Sequence, residues 1–153
     1  MILKEAEVSK STFYRYFYDK NDVLDQHFQA IYNNALKSVK VRSVADLLLA
    51  IMRISKEKPE MTRLFDMFGM NPYREFVYRY MRDRGKQLIE AAWGRSLTVK
   101  EEFHVDFFCG GGAKIIEEWT LGKRFANMTE EQAAEEIHKM TNPLYLFTLK
   151  KTE

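Results

Sequence analysis

The residues with the most specific chemical potential lie between Ser9 and Phe17, a run with basic and hydroxyl side chains and no acidic residue. Phe13 and Phe17 are four residues apart, so a helix places both on one face, which can be buried. The Ser9 hydroxyl can cap that helix by accepting a hydrogen bond from a free backbone N–H of the first turn. The side chains that point elsewhere can donate to phosphates and base edges, as a helix in the major groove of DNA must. They are Lys10, Ser11, Tyr14 and Arg15.

This stretch resembles the TetR family of bacterial repressors. In that family an Ala-x-Val-Ser turn runs into Thr-Phe-Tyr-x-Tyr-Phe, and a lysine and an acidic-hydrophobic helix start follow. The matching positions here are Ala6, Val8, Ser9, Thr12 to Phe17, Lys20 and Leu24. Because the match includes the turn, the helix and the following lysine, it is more specific than a single short motif.

The resemblance implies roles for individual side chains. Lys10, Ser11 and Thr12 would face bases or nearby phosphates, whereas Tyr14 and Lys20 would hold phosphates and set the register. Phosphate contacts fix position, and base contacts carry sequence information. The full set of predicted DNA-binding residues is Ser9, Lys10, Ser11, Thr12, Tyr14, Arg15, Tyr16 and Lys20. The alternative, a solvated helix with an aromatic core face, is disfavoured because the flanking turn matches too.

Family members begin with a long first helix that braces the recognition helix, and a second helix precedes the turn. This chain starts with Met-Ile-Leu-Lys-Glu-Ala, which resembles the tail of the second helix. We therefore expect a partial helix-turn-helix domain over residues 1-24. Residues 25-153 would form a helical domain for effector binding and dimerisation. A truncation and a start further upstream both fit the sequence.

Composition limits the classes of function. A hydrophobic fraction of 46% suffices for a core, and a charged fraction of 30% indicates a soluble surface. With 24 basic and 22 acidic residues the net charge is only +2, so DNA affinity must come from a local patch. A single cysteine cannot form an internal disulfide, and no apolar run approaches the roughly 20 residues of a membrane span. We expect a cytoplasmic protein with no membrane partner.

The elements that must position these residues are helices, because apolar residues recur at helical spacing almost throughout. We predict an all-α, TetR-like helical bundle. Ser43, Asn71 and Thr98 mark helix starts, and Thr129 with Gln132 forms a capping box. Glycines mark the helix ends at positions 94 and 122. The predicted helices cover about residues 9–17, 21–39, 43–56, 60–68, 71–93, 98–121 and 129–140.

Three consecutive glycines at 110–112 need a physical reason, because each glycine inside a helix costs about 1 kcal/mol relative to alanine. They lack the spacing of a phosphate-binding loop. Close approach of another helix explains them, and a plain kink is the alternative. In the TetR family the last two long helices pair with their copies in a four-helix bundle. The resemblance thus implies a homodimer, with Gly110, Gly111, Ala113, Ile116 and Ile137 at its interface.

The C-terminal half is also similar to the TetR subgroup that activates dihydroxyacetone kinase operons. Phe107 to Trp119 combines an aromatic residue, glycines and Glu-Trp, and an acidic helix follows Asn127-Met128-Thr129. If this second resemblance holds, the effector is a protein.

Aromatic residues cluster in the second half of the chain, and at helical spacing such residues usually form core. Core is the favoured interpretation here. The alternative follows from the resemblance, since the matching helices in many family members enclose a mostly apolar ligand cavity with few polar anchors. The candidate effector pocket comprises Phe65, Phe68, Tyr73, Phe76, Tyr80, Trp93, His104 and Phe107.

No arrangement of residues indicates catalysis. His27, His104 and His138 are far apart, without ligand partners at helical spacing, and Cys109 lies in an apolar stretch as an inert thiol. We expect no metal, no cofactor and no enzymatic activity. The sequence predicts a TetR-like regulator that binds palindromic operator DNA as a dimer under control of a small-molecule or protein effector. The alternative is a dimeric helical interaction or sensing module that no longer binds DNA because the first helix is absent.

Overall fold

A computed structural model of the chain describes residue 7, residues 9–58, residue 63 and residues 72–141. These residues form helices and no β-strand, which confirms the predicted all-α class. Apart from residue 63, the predicted helix at 60–68 lies outside the described residues, as does the Asn71 cap. None of the described helices combines the length and apolar character that crossing a membrane requires. The helices are α1 (Lys10–Tyr16), α2 (Lys20–Leu36), α3 (Val44–Glu57), α4 (Pro72–Trp93), α5 (Val99–Thr120) and α6 (Glu130–Thr141).

Side chains cap the helices where the sequence predicts. The Ser9 hydroxyl accepts a hydrogen bond from the backbone N–H of Thr12 (3.1 Å), and Ser43 does the same for Asp46 (3.0 Å). At the start of α6 the Thr129 hydroxyl accepts from the N–H of Gln132 (3.2 Å). The Gln132 amide oxygen accepts from the N–H of Thr129 in return (2.9 Å). These caps satisfy backbone donors that a helix start leaves open.

Helix α2 differs from its predicted bounds at both ends. It starts at Lys20 because Asp19 is the N-cap and accepts from the N–H groups of Asn21 and Asp22 (2.7 and 3.0 Å). It ends at Leu36 instead of Val39, because the following N–H groups reach back only three residues. Val39 N–H, for example, donates to Leu36 C=O at 3.3 Å.

Helix α3 is the centre of the body and contacts α2, α4, α5 and α6. Leu47, Leu48, Ile51 and Ile54 of α3 are buried, as their spacing predicts. Helix α3 lies between α2, which follows α1, and the C-terminal helices α4, α5 and α6. Its packing therefore connects the N-terminal helices to the C-terminal half of the described chain.

Helices α4 and α5 form an antiparallel pair in which the chain approaches itself closely at Gly112. A Cβ atom on Gly112 would lie 2.9 Å from Met81 Cε and 3.0 Å from Leu48 Cδ1. The ends of the Met81 and Leu48 side chains therefore occupy the space beside Gly112, and both side chains belong to the same chain. The turn after α4 is closed by Gly94, whose φ of 65° lies in the left-handed region that favours glycine.

Helices α2, α3 and α4 meet at a buried cluster of three hydroxyls. Ser55 Oγ lies 2.8 Å from Tyr32 Oη and 2.8 Å from Tyr73 Oη, and the two tyrosines also hydrogen-bond to each other. Burial raises the pKa of both phenols, so they stay protonated and able to donate. The cluster satisfies polar groups that would otherwise destabilise the core.

Candidate functional site

Helix α1 carries most of the predicted DNA-binding side chains on its outer side. Tyr14 and Tyr16 are 64% and 63% exposed. Thr12 is half-buried, and the Lys20 side chain lies outside the described residues although its backbone starts α2. The other exposed members of the predicted set are Ser9, Lys10, Ser11 and Arg15.

The aromatic side of α1 packs only partly. Phe13 and Phe17 are half-buried, their ring centroids are 5.4 Å apart, and no residue of α1 is fully buried. The predicted buried face is thus a half-buried one. Two hydrogen bonds attach the end of α1 to α2: Tyr18 N–H donates to Asp22 Oδ2 (2.8 Å), and the Gln26 amide donates to Tyr16 C=O (3.4 Å).

The outer face of α1 is locally cationic. Within the part of the chain that the structure describes, no carboxylate forms an ion pair with Lys10 or Arg15. The Arg15 guanidinium lies 5.1 Å from the centroid of the Tyr16 ring and remains exposed. Both cations are therefore available to an external anion such as a phosphate.

The described residues of the predicted effector pocket lie in different surroundings. Tyr73 and Phe76 are buried in the core, Tyr80 lies at the solvent side of the α2–α4 contact, and Trp93 is half-buried at the end of α4. His104 and Phe107 are exposed on α5, on a different part of the surface. These aromatic residues have helical spacing in the sequence, but they lie on helix faces that point to different parts of the protein. Phe65 and Phe68 lie outside the described residues.

His104 and Phe107 instead line an apolar groove of about 410 Å³ between α3, α5 and α6. Phe103 and Phe107 on its rim are 67% and 79% exposed, and Met140 is 56% exposed. Val99, Phe103 and Phe107 follow each other at intervals of four, so they form one apolar stripe on α5. Val99 was not among the residues predicted from the sequence to form a site, although its spacing of four from Phe103 is a signal for this stripe.

The predicted dimer residues separate into two groups. Gly110 and Gly111 are exposed, and a Cβ atom on either would meet nothing within 4 Å. Ala113, Ile116 and Ile137 are buried within the chain itself. Ala113 and Ile116 pack into the core of the chain, so their side chains are not exposed to a second copy in this structure. Ile137 joins α6 to the body and borders the apolar groove.

The single cysteine is buried, and burial raises the pKa of the Cys109 thiol to about 12. It is therefore protonated at neutral pH, when only the thiolate is a strong nucleophile. Among the described residues, no three His, Cys, Asp or Glu side chains come together in a way that could hold a metal ion.

Comparisons with known protein families, curated proteins and solved structures found no match to this chain. The TetR resemblance therefore stays a prediction that rests on the residues from Ala6 to Leu24.

Proposed function

We propose that this chain is a TetR-like transcriptional regulator that binds operator DNA as a homodimer and responds to an effector. The observation that carries the proposal is the acid-free, exposed outer face of α1, opposite the half-buried Phe13 and Phe17. A helix of this kind can enter the major groove while its inner side stays attached to the protein.

The local charge of α1 supports this function more than the overall charge does. The net charge of +2 gives little long-range attraction to DNA, so binding depends on contacts at α1. Arg15 and Lys10 have no ion-pair partner among the described residues to give up on meeting a phosphate. The exposed hydroxyl of Tyr14 adds a neutral donor of the kind that commonly contacts the DNA backbone.

The apolar stripe on α5 supports the dimer. Val99, Phe103 and Phe107 are 82%, 67% and 79% exposed. Water-exposed apolar side chains that adjoin each other commonly mark a protein interface. Gly110 and Gly111 extend the same exposed part of α5 and allow a second helix to approach closely. A two-fold dimer would present two α1 helices to successive turns of a palindromic site.

The second candidate function is an interaction or sensing module without DNA binding. The α5 stripe favours it specifically, because an exposed apolar surface of this kind can bind a protein partner whether or not α1 contacts DNA. Binding-site selection from a random duplex library separates the two. A regulator enriches a two-fold symmetric sequence with half-sites about one helical turn apart. An interaction module enriches none, and that result would contradict the proposed function.

Two variants of α1 are expected to affect DNA binding differently. Tyr14→Phe removes only a hydroxyl and should weaken binding to every duplex by a similar factor, because a phosphate contact is independent of sequence. Lys10→Ala should change the preferred bases at one position of each half-site. Repeating the selection and measuring affinities by fluorescence anisotropy checks both. Unchanged selectivity in Lys10→Ala would show that this face of α1 does not read bases.

A further inference from the structure

A polar cleft separates the solvent-facing edges of α2 and α4. Its volume is about 280 Å³, and the aromatic side chains of Phe76 and Tyr80 lie at its base. From α2 it is lined by Asp25, Gln29 and Asn33, which follow each other at intervals of four and so occupy one face. No sequence motif predicts this cleft, because the residues that face each other across it are some fifty positions apart in the chain.

Two contacts cross the cleft and keep its walls in place. Arg79 Nη2 donates to Asp25 Oδ2 at 2.6 Å, and Tyr80 Oη donates to Asn33 Oδ1 at 2.7 Å. These contacts leave donors unused: the Asn33 and Gln29 amide N–H groups have no hydrogen-bond acceptor among the described residues. In addition, Arg79 Nε is buried without a hydrogen bond. The cleft therefore offers more donors than the chain uses.

The charges in the cleft leave one cation without a carboxylate. Asp25 is paired with Arg79, and Asp83 is paired with Arg82 at 2.9 Å. Arg84 instead donates to the neutral Gln87 side chain, at the long distance of 3.3 Å. The two acidic and two basic residues that line the cleft balance in charge, but Arg84 forms no ion pair with a carboxylate among the described residues. A guanidinium in this state can bind a carboxylate with two parallel hydrogen bonds.

We propose that the α2–α4 cleft binds a small hydroxycarboxylate. Its carboxylate pairs with Arg84, and its hydroxyls accept hydrogen bonds from the amides of Gln29 and Asn33. The carbon chain of the ligand lies over the Phe76 and Tyr80 rings. The cleft volume suits a metabolite smaller than a drug-sized molecule.

A ligand in this place would act on the element that carries α1. It bridges α2 to α4, and α2 is hydrogen-bonded to the end of α1 through Gln26 and Asp22. If the ligand favours one separation of α2 and α4, it shifts the orientation of α1 by that preference. This regulatory role rests on the proposed function, whereas binding to the cleft does not.

Isothermal titration calorimetry of the full chain with D-gluconate, in the absence of DNA, tests the proposed binding site. Acetate supplies a carboxylate without the hydroxyls, and sorbitol supplies hydroxyls without the carboxylate. We expect one gluconate per chain, bound at least tenfold more tightly than either control compound. Arg84→Gln should weaken gluconate binding roughly tenfold or more, and Gln29→Leu severalfold. Arg42→Gln, which changes an exposed arginine outside the cleft, should leave it unchanged.

Equal affinities for gluconate, acetate and sorbitol would overturn the proposal. So would equal losses in Arg84→Gln and Arg42→Gln. If Arg84→Gln lowers the melting temperature, Gln29→Leu decides the result, because that side chain is exposed and has no structural hydrogen bond among the described residues. If gluconate does not bind but sequence-specific DNA binding is intact, only the proposed ligand site is rejected. If gluconate binds but sequence-specific DNA binding is absent, only the proposed regulatory function is rejected.

Discussion

Replacing Phe107 with glutamate is expected to convert the protein from a dimer to a monomer. Phe107 is 79% exposed and lies between Phe103 of the α5 stripe and the exposed Gly110, so the substitution adds a charge where the proposed dimer buries an aromatic ring. Losing a buried aromatic contact of this kind weakens an interface by about 2–4 kcal/mol, and the buried charge adds to this. We expect dimer affinity to fall roughly a hundredfold or more, as measured by sedimentation over a concentration series. Affinity for a two-half-site duplex should fall with it, because both half-sites are then no longer bound together.

Ala91→Glu is the matched control for this substitution. Ala91 is exposed on α4, outside the apolar stripe, and the variant introduces the same charge. It should remain dimeric. A monomeric parent chain, or equal dissociation of Ala91→Glu and Phe107→Glu, would show that the α5 stripe is not the dimer interface.

Gly112→Leu is expected to lower the free energy of unfolding by about 2 kcal/mol or more. Even a single Cβ at this position lies within about 3 Å of Met81 and Leu48, and both of those side chains are buried. A leucine must displace both side chains or move α5 away from α3 and α4, and this cost outweighs the gain of roughly 0.8–1 kcal/mol from removing a helical glycine. Denaturant unfolding measures the difference.

Gly110→Leu is the control, because it makes the same change in the same helix where a Cβ meets nothing within 4 Å. Its unfolding free energy should equal or exceed that of the parent. Both variants are best measured in the Phe107→Glu background, so that dimerisation does not contribute to stability. If Gly112→Leu were as stable as Gly110→Leu, tight packing of Met81 and Leu48 against this glycine would be excluded.

The parts of the fold that depend on local physics were predictable from the sequence. A side-chain hydroxyl that accepts from a backbone N–H of the following turn caps a helix regardless of the rest of the chain, so Ser43 and Thr129 marked α3 and α6 correctly. The spacing of Leu47, Leu48 and Ile51 likewise determined which face of α3 is buried.

Which of three adjacent glycines is packed could not be predicted in this way. Successive residues of a helix differ by about 100° in direction, so one residue decides whether a position faces the core or solvent. All three positions carry glycine, and only the third has the side chains of Met81 and Leu48 packed beside it. That position depends on how α4 and α5 are rotated against each other.

The candidate sites show the same division. The outward direction of Tyr14 and Arg15 followed from their spacing relative to Phe13, and both are exposed. Aromatic residues at helical spacing did not reveal whether their helix face meets the core, as Tyr73 does, or solvent, as Phe107 does. The α2–α4 cleft was not predictable, because the residues of its two walls become neighbours only when the helices pack.

The salt dependence of DNA binding tests the central claim most directly. With the duplex enriched by selection, the logarithm of the dissociation constant should rise linearly with the logarithm of salt concentration, since bound phosphates release counterions. Arg15→Ala should reduce that slope by about one, because one phosphate contact is lost. Arg42→Ala, an exposed arginine between α2 and α3, should leave the slope unchanged. Sequence-specific binding whose slope is the same with and without Arg15, or the absence of such binding, would contradict a DNA-reading role for α1.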